Sequence, residues 1–209
     1  MNEYRLIPAG PEKPVIYFLS DPDQEEQLPK GPASFVLIQA DWDRDLTPWP
    51  APGVFRNQNF TGGAGEYLKH LTGELLPAAE AELGFSPAHR GIIGYSLGGL
   101  FALYAFYESA CFDLAASVSG SLWYDGWLDY MRTHTPSRPG RVHLSVGDRE
   151  KKSRNERMKT VEDATREASE ILTAQGVETA FVLNPGNHFQ DPAARQQRAL
   201  DWLLEPYLD

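Results

Sequence analysis

The run Gly94-Tyr95-Ser96-Leu97-Gly98 constrains this chain more than any other feature. A serine with a glycine two positions away on each side fits a nucleophile elbow. In that motif a buried strand ends in a sharp turn, the serine sits at its tip, and a helix starts at once. The glycines have a steric job, because strand and helix backbones pass close together there. The context agrees on both sides. Gly91-Ile92-Ile93-Gly94-Tyr95 reads as a short buried strand, and Leu97, Leu100, Leu103, Tyr104 and Tyr107 recur at helical spacing. Gly98 and Gly99 open that helix, so its N-terminal N–H groups point toward any oxyanion formed at Ser96.

Strand-like and helix-like runs alternate along the chain, the pattern of a mostly parallel sheet covered by helices. Val15 to Leu19 and Phe35 to Ala40 are continuous apolar runs, as central strands require. The segment 41–60 is a long connection with three prolines and two tryptophans, and connections of that length in a compact domain are commonly functional. Gly65 to Leu83 reads as a helix that Pro77 should kink or split, with Gly84 as its C-cap. The motif Gly62-Gly63-Ala64-Gly65 is a weak match to a nucleotide loop and reads as a flexible approach to that helix. Leu114 to Val118, Arg141 to Val146 and Val177 to Leu183 are further strands. Met158 to Leu172 is helical and closes at Gly176. Asp191-Pro192 reads as an N-cap and first helical position opening a C-terminal helix to about Leu204.

At 209 residues the chain is expected to form one domain, residues 1–209. The net charge of −10 argues against a general surface for nucleic acid or anionic membranes, so the expected partner is a small molecule. No apolar stretch approaches the ~20 residues that span a bilayer, and Met1-Asn2-Glu3-Tyr4-Arg5 does not resemble a signal peptide. The single cysteine, Cys111, excludes an internal disulfide and fits a reducing, cytoplasmic setting. No cofactor or metal is expected: there are no paired cysteines, no H-x-x-x-H and no phosphate loop.

A serine hydroxyl needs a base to take its proton. In chains with such an elbow the order is Ser, then Asp or Glu, then His. The loop Asn184-Pro185-Gly186-Asn187-His188-Phe189 lies between the last strand and the last helix, at the sheet edge that carries the elbow. His188 is therefore the expected general base. His70 falls within a helix, His143 within a strand, and His89 and His134 in connections. The acid should follow the strand Arg141 to Val146, where Gly147-Asp148-Arg149-Glu150 offers two carboxylates. Glu150 is favoured for its reach to the imidazole, with Asp148 as the alternative. A Ser-His dyad follows if both belong to a solvated charged loop.

With these residues assembled, the chain resembles the putative-esterase branch of the α/β-hydrolases, which includes siderophore trilactone esterases of the enterobactin-like type. The resemblance rests on Pro14 to Leu19, Gly62-Gly63-Ala64 with Tyr67-Leu68, and Glu74 to Pro77. It continues through Gly94 to Ala102, Ser119 to Tyr124, Gly147 to Glu150, and Gly186-Asn187-His188. The segments Arg44-Asp45-Leu46-Thr47-Pro48 and Ser121-Leu122-Trp123 are most similar to the siderophore-esterase type. The resemblance implies an α/β-hydrolase fold with helices on both faces of the sheet, in a minimal version short of N-terminal strands. It implies a cofactor-free serine esterase acting through an acyl-enzyme on Ser96, with a siderophore-type ester as one candidate substrate.

By the same resemblance, the Leu97 N–H is one oxyanion donor. The second comes from the segment Ser20-Asp21-Pro22, where proline has no N–H to give, so Asp21 or the Asp41-Trp42 turn is expected to supply it. Arg44, Trp42 and Trp123 are expected at the substrate pocket, with Trp49 and Tyr124 as further aromatic candidates. Two other readings share the sequence: an acyltransferase using the same triad, and a non-catalytic binding module on the same fold.

Overall fold

The structure, a computed structural model, describes residues 3–19, 29–56 and 58–208. Its main sheet contains β1 (Tyr4–Ile7), β2 (Val15–Leu19), β3 (Ser34–Ile38), β6 (Arg90–Tyr95), β7 (Leu114–Val118), β8 (Arg141–Gly147) and β9 (Glu178–Asn184). The order is β1-β3-β2-β6-β7-β8-β9. All neighbours run parallel except β1, which pairs antiparallel with β3 through Tyr4↔Ile38 and Ile7↔Phe35. The chain steps outward from β2 to β3 and then returns to the other side of β2 with β6. That reversal opens a crevice at the carboxyl ends of β2 and β6, where open α/β sheets place their sites.

Both faces of the central strands are covered, which explains why β2 is an unbroken apolar run and every residue of β3 is buried. Along β2, Val15, Tyr17 and Leu19 join one core with the helices α2 (Ala64–His70), α4 (Leu97–Glu108) and α6 (Val161–Ala174). Ile16 and Phe18 join the opposite core under α7 (Pro192–Leu204), with Ala199, Leu200 and Leu203. Alternation therefore points into protein on both sides. Helix α4 is buried along almost its whole length, Phe101, Ala102, Ala105 and Phe106 included. It is the central helix of its layer and needs no polar face.

The expected kink or split at Pro77 takes another form: the backbone stays helical from Ala64 to Leu83, with a change of winding just before the proline. Residues Leu71–Leu75 form a π-helical turn between α2 and α3 (Leu76–Leu83). Pro77 thereby falls in the first turn of α3, where a missing N–H costs nothing. Gly84 closes α3 at φ +78°. The connection 41–60 is ordered where described: it holds the short helix α1 (Trp42–Asp45) and β4 (Pro50–Pro52), which pairs with β5 (Asn59–Thr61). The Gln58 side chain accepts from the N–H groups of Val54 and Phe55 and donates to Asp43, tying the hairpin to α1. Gly62 and Gly63 lead into α2, as expected. One detail differs. Asp191 stands at the start of α7, yet at φ +50° its side chain makes no capping hydrogen bond. The sequence reading also lacked the edge strand β1 and the helix α5 (Trp127–Thr133).

Candidate active site

Ser96 ends β6 and precedes α4 with φ 57° and ψ −121°, a conformation that costs a non-glycine residue roughly 1–3 kcal/mol. The packing around it holds the turn in place. A Cβ on Gly94 would lie 2.1 Å from the backbone carbon and oxygen of Gly98, so only glycine lets strand and helix meet. Gly99 and Gly120 also approach each other closely, a Cβ on Gly99 falling 2.9 Å from the Gly120 Cα. The Ser96 N–H donates to Val118 O at 3.1 Å, and Ser121 N–H donates to Ser96 O at 2.9 Å.

His188 sits in the loop after β9, and its Nε2 lies 3.2 Å from Ser96 Oγ. Its Nδ1 lies 2.8 Å from Glu150 Oε2. The other carboxylate oxygen, Oε1, accepts from Gly147 N–H at 2.7 Å and from Arg195 at 2.9 Å. Burial alone would push the Glu150 carboxyl up. The hydrogen bond and charge of His188, with the Gly147 N–H, outweigh that and hold it below the ordinary glutamate value. Asp148 takes a different place: its Oδ1 accepts from Gly186 N–H at 2.8 Å, pinning the histidine loop. Of the two candidate acids, only Glu150 touches the imidazole. The reason is length, since a side chain three residues past Gly147 reaches back beneath His188.

Further residues shape the histidine's surroundings. The Tyr95 hydroxyl donates to the His188 carbonyl, and its ring lies against the imidazole with centroids 5.2 Å apart. Phe189, 85% exposed, covers the other side edge-on. Ser121 Oγ stands 3.4 Å from Ser96 Oγ. Buried Arg195 on α7 contacts Glu150, Ser119 and two loop carbonyls. Neither Tyr95 nor Arg195 was singled out in the sequence. A signal for the arginine existed: positions 195, 199 and 203 share one face of α7, and the other two are core residues.

Ser96, His188 and Glu150 line a cleft of about 590 Å³. Its walls include Phe55, Phe60, Trp123, Met158 and Phe189, and Leu97 lies on its floor beside Ser96. Leu97 is the first residue of α4, so its N–H has no partner within the helix. Arg149 and Lys152, both exposed, line the same cleft.

Three expectations about the pocket change. Arg44 and Trp42 line a separate cavity of about 420 Å³, at the carboxyl ends of β2 and β3. Arg44 is held there by its own neighbour, with Nε 2.7 Å from Asp45 Oδ1. Trp49 and Tyr124 pack against each other beneath the hairpin; Trp49 also stacks on Trp127 and donates to Asp125 O at 2.8 Å. Finally, the Asp41 N–H donates to Asp45 Oδ2 at 2.9 Å, so it is already engaged and is not a free oxyanion donor. Asp21, with Ser20 and Pro22, lies outside the described residues. Where the strand before them ends is described: a Cβ on Gly98 would lie 3.4 Å from Leu19 Cβ, which places the end of β2 beside the elbow.

No group of metal-ligating side chains occurs among the described residues, and no helix among them is long and apolar enough to cross a membrane. The family described as putative esterase matches residues 31–191, a stretch that includes all three triad residues. The chain belongs to the putative-esterase family. The uncharacterized protein YbbA of Bacillus subtilis (strain 168) is 30% identical over 171 residues, 77% of this chain. The match takes in 66% of that protein, just under two thirds of its length. Among solved structures, an IroE-like serine hydrolase from Shewanella oneidensis superposes with a TM-score of 0.80 at 19% identity, over 99% of this chain and 76% of its own. The siderophore hydrolase EstB from Aspergillus nidulans gives 0.69 at 19% identity, over 95% of this chain and 84% of its own. At such identities the likeness speaks for the fold: this esterase-family chain has the α/β-hydrolase architecture.

Proposed function

We propose that this protein is a serine esterase that hydrolyses a carboxylic ester through an acyl-enzyme on Ser96. The observation that carries the reading is the continuous chain Ser96 Oγ–His188 Nε2, 3.2 Å, and His188 Nδ1–Glu150 Oε2, 2.8 Å, at the floor of an open cleft. His188 takes the serine proton as Oγ attacks the acyl carbon, and Glu150 holds the imidazole tautomer and balances the imidazolium. The Leu97 N–H and the α4 dipole stabilise the oxyanion, with Asp21 as the proposed second donor. His188 then gives its proton to the leaving alcohol. Water follows the same route in reverse and frees the acid.

The cleft also favours a substrate class. Its aromatic wall of Phe55, Phe60 and Trp123 suits a flat apolar group, and the exposed Arg149 and Lys152 suit a negative charge beside it. An anionic aromatic ester has both, and a siderophore-type ester is one such compound. Arg44, held by Asp45 outside this cleft, is not needed for that reading.

The test is hydrolysis of short p-nitrophenyl esters by the wild type and Ser96→Ala, with mass spectrometry after a fluorophosphonate probe. Loss of activity by about 10⁵-fold or more in the variant, with one adduct on Ser96, is the expected result. Turnover that survives in Ser96→Ala would sink the reading.

A further inference from the structure

Arg195 is a charged side chain placed where charges are rarely found, only 1% exposed beneath the sheet edge. Burying a guanidinium is costly unless its donors are matched. Here both terminal nitrogens are matched, to three separate pieces of the site, while Nε has no hydrogen-bond partner among the described residues. One terminal nitrogen donates to Glu150 Oε1 at 2.9 Å and to Ser119 Oγ at 2.8 Å. The other donates to Pro185 O at 3.1 Å and Asn187 O at 2.9 Å. The first contact is the triad acid, the second stands at the end of β7 next to the elbow, and the last two flank the turn that carries His188. Ser119 itself sits at φ +47°, a second strained serine beside Ser96. The space is cut to fit: a Cβ on Gly147 would lie 2.8 Å from the same guanidinium nitrogen that binds the loop carbonyls.

We infer that Arg195 is a positioning residue that sets the geometry of the Glu150–His188 pair. This rests on the esterase reading above. The geometry follows from how the carboxylate is divided. Oε1 is saturated by Arg195 and Gly147, which leaves Oε2 aimed at His188 Nδ1. The guanidinium also binds the carbonyls on both sides of Gly186, so it ties the acid to the loop that carries the base. A flexible lysine would supply the charge without the planar fork.

The test compares Arg195→Met and Arg195→Lys with the wild type, each normalised to its fluorophosphonate-titrated active sites. In Arg195→Met, kcat should fall about 10- to 100-fold with KM within twofold, as expected of misplaced reacting groups. Arg195→Lys should lose kcat as well, because the lysine lacks the fork that reaches both carbonyls. A residue needed only for folding would lower the melting temperature and the titrated fraction, but leave kcat per active site unchanged. That outcome overturns the inference. If Arg195→Met does not fold, an Arg195→Lys variant with wild-type kcat overturns it equally. The low-field Nδ1–H proton resonance of His188 gives a readout apart from turnover, and it should move or broaden in Arg195→Met as the hydrogen bond to Glu150 loosens. A wild type without ester hydrolysis would count against the esterase reading. An active wild type with unaltered Arg195 variants would count against this inference alone.

Discussion

Replacing Glu150 by glutamine separates the acid from its neighbours with little change in volume. The carboxylate oxygens have opposite duties: Oε1 accepts from Gly147 N–H and Arg195, and Oε2 faces His188 Nδ1. A glutamine carbonyl can satisfy the first pair only by turning its NH2 toward the histidine. The imidazole then presents Nδ1 as acceptor and carries its proton on Nε2, where it cannot take the proton of Ser96. An acid-to-amide change that fixes the wrong tautomer costs about 10⁴ in kcat, or about 5.4 kcal/mol of transition-state stabilisation. Arg195 also loses its counter-charge in the interior, which should lower stability by about 3 kcal/mol. The assay is kcat on a p-nitrophenyl ester per titrated active site, beside urea unfolding at pH 7. If Glu150→Gln retains a tenth of wild-type kcat, the acid assignment is wrong. Inactivity of Asp148→Asn with a fully active Glu150→Gln would move the role to Asp148.

Other consequences follow from single contacts. Gly94→Ala puts a methyl group 2.1 Å from the Gly98 backbone; it should destabilise the fold by about 3 kcal/mol, read by urea midpoint, and reduce fluorophosphonate labelling. Buried His143 on β8 is lowered to about 4, chiefly by desolvation and then by the charge of Arg198. Its folded value lies below the unfolded one, so its contribution is full above about pH 6.5 and is lost as pH falls toward about 4. Unfolding should therefore become easier by about 2 kcal/mol between pH 7 and pH 5, and His143→Gln should flatten that slope. Arg149→Ala with Lys152→Ala should raise KM for an anionic aromatic ester at least tenfold and leave neutral esters unaffected, whereas Arg44→Ala should change neither; steady-state kinetics on paired substrates decide this.

The elbow was legible because its information is local. Strand, turn and helix lie within about twenty consecutive residues, and the steric need at Gly94 is set by a neighbour four positions on. Chain order placed His188 at the correct sheet edge, since parallel strands bring every βα loop to one end. The choice between Glu150 and Asp148 was less secure, because both follow β8 and only the register of β8 with β9, Gly147↔Asn184, sets what each can reach. Arg44 was expected at the pocket from the resemblance alone; in the structure it lines another cavity, its side chain largely exposed and paired with the adjacent Asp45. Trp49 and Tyr124 had a composition suited to a pocket wall, but Trp49 packs on Trp127 and Tyr130, in a helix that the sequence did not announce, and Tyr124 packs on Trp49, Phe60 and Trp123.

What the sequence by itself determined is the periodicity and punctuation of this protein. Apolar runs made the central strands, spaced leucines and tyrosines made α4, and glycines marked the turn that Ser96 occupies under strain. Those properties depend on neighbours along the chain, where backbone sterics and side-chain period act. The tertiary structure decided which charge meets which. Glu150 and Arg195 stand 45 residues apart, and no local rule says that an arginine on an apolar helix face will find a carboxylate beneath it. Burial makes the pairing compulsory, because an unmatched ion there would cost more than the packing around it returns. Ser96, Glu150 and His188 are thus written in chain order, and the contacts of Arg195 with Glu150 and the histidine loop exist only once the sheet and α7 have come together.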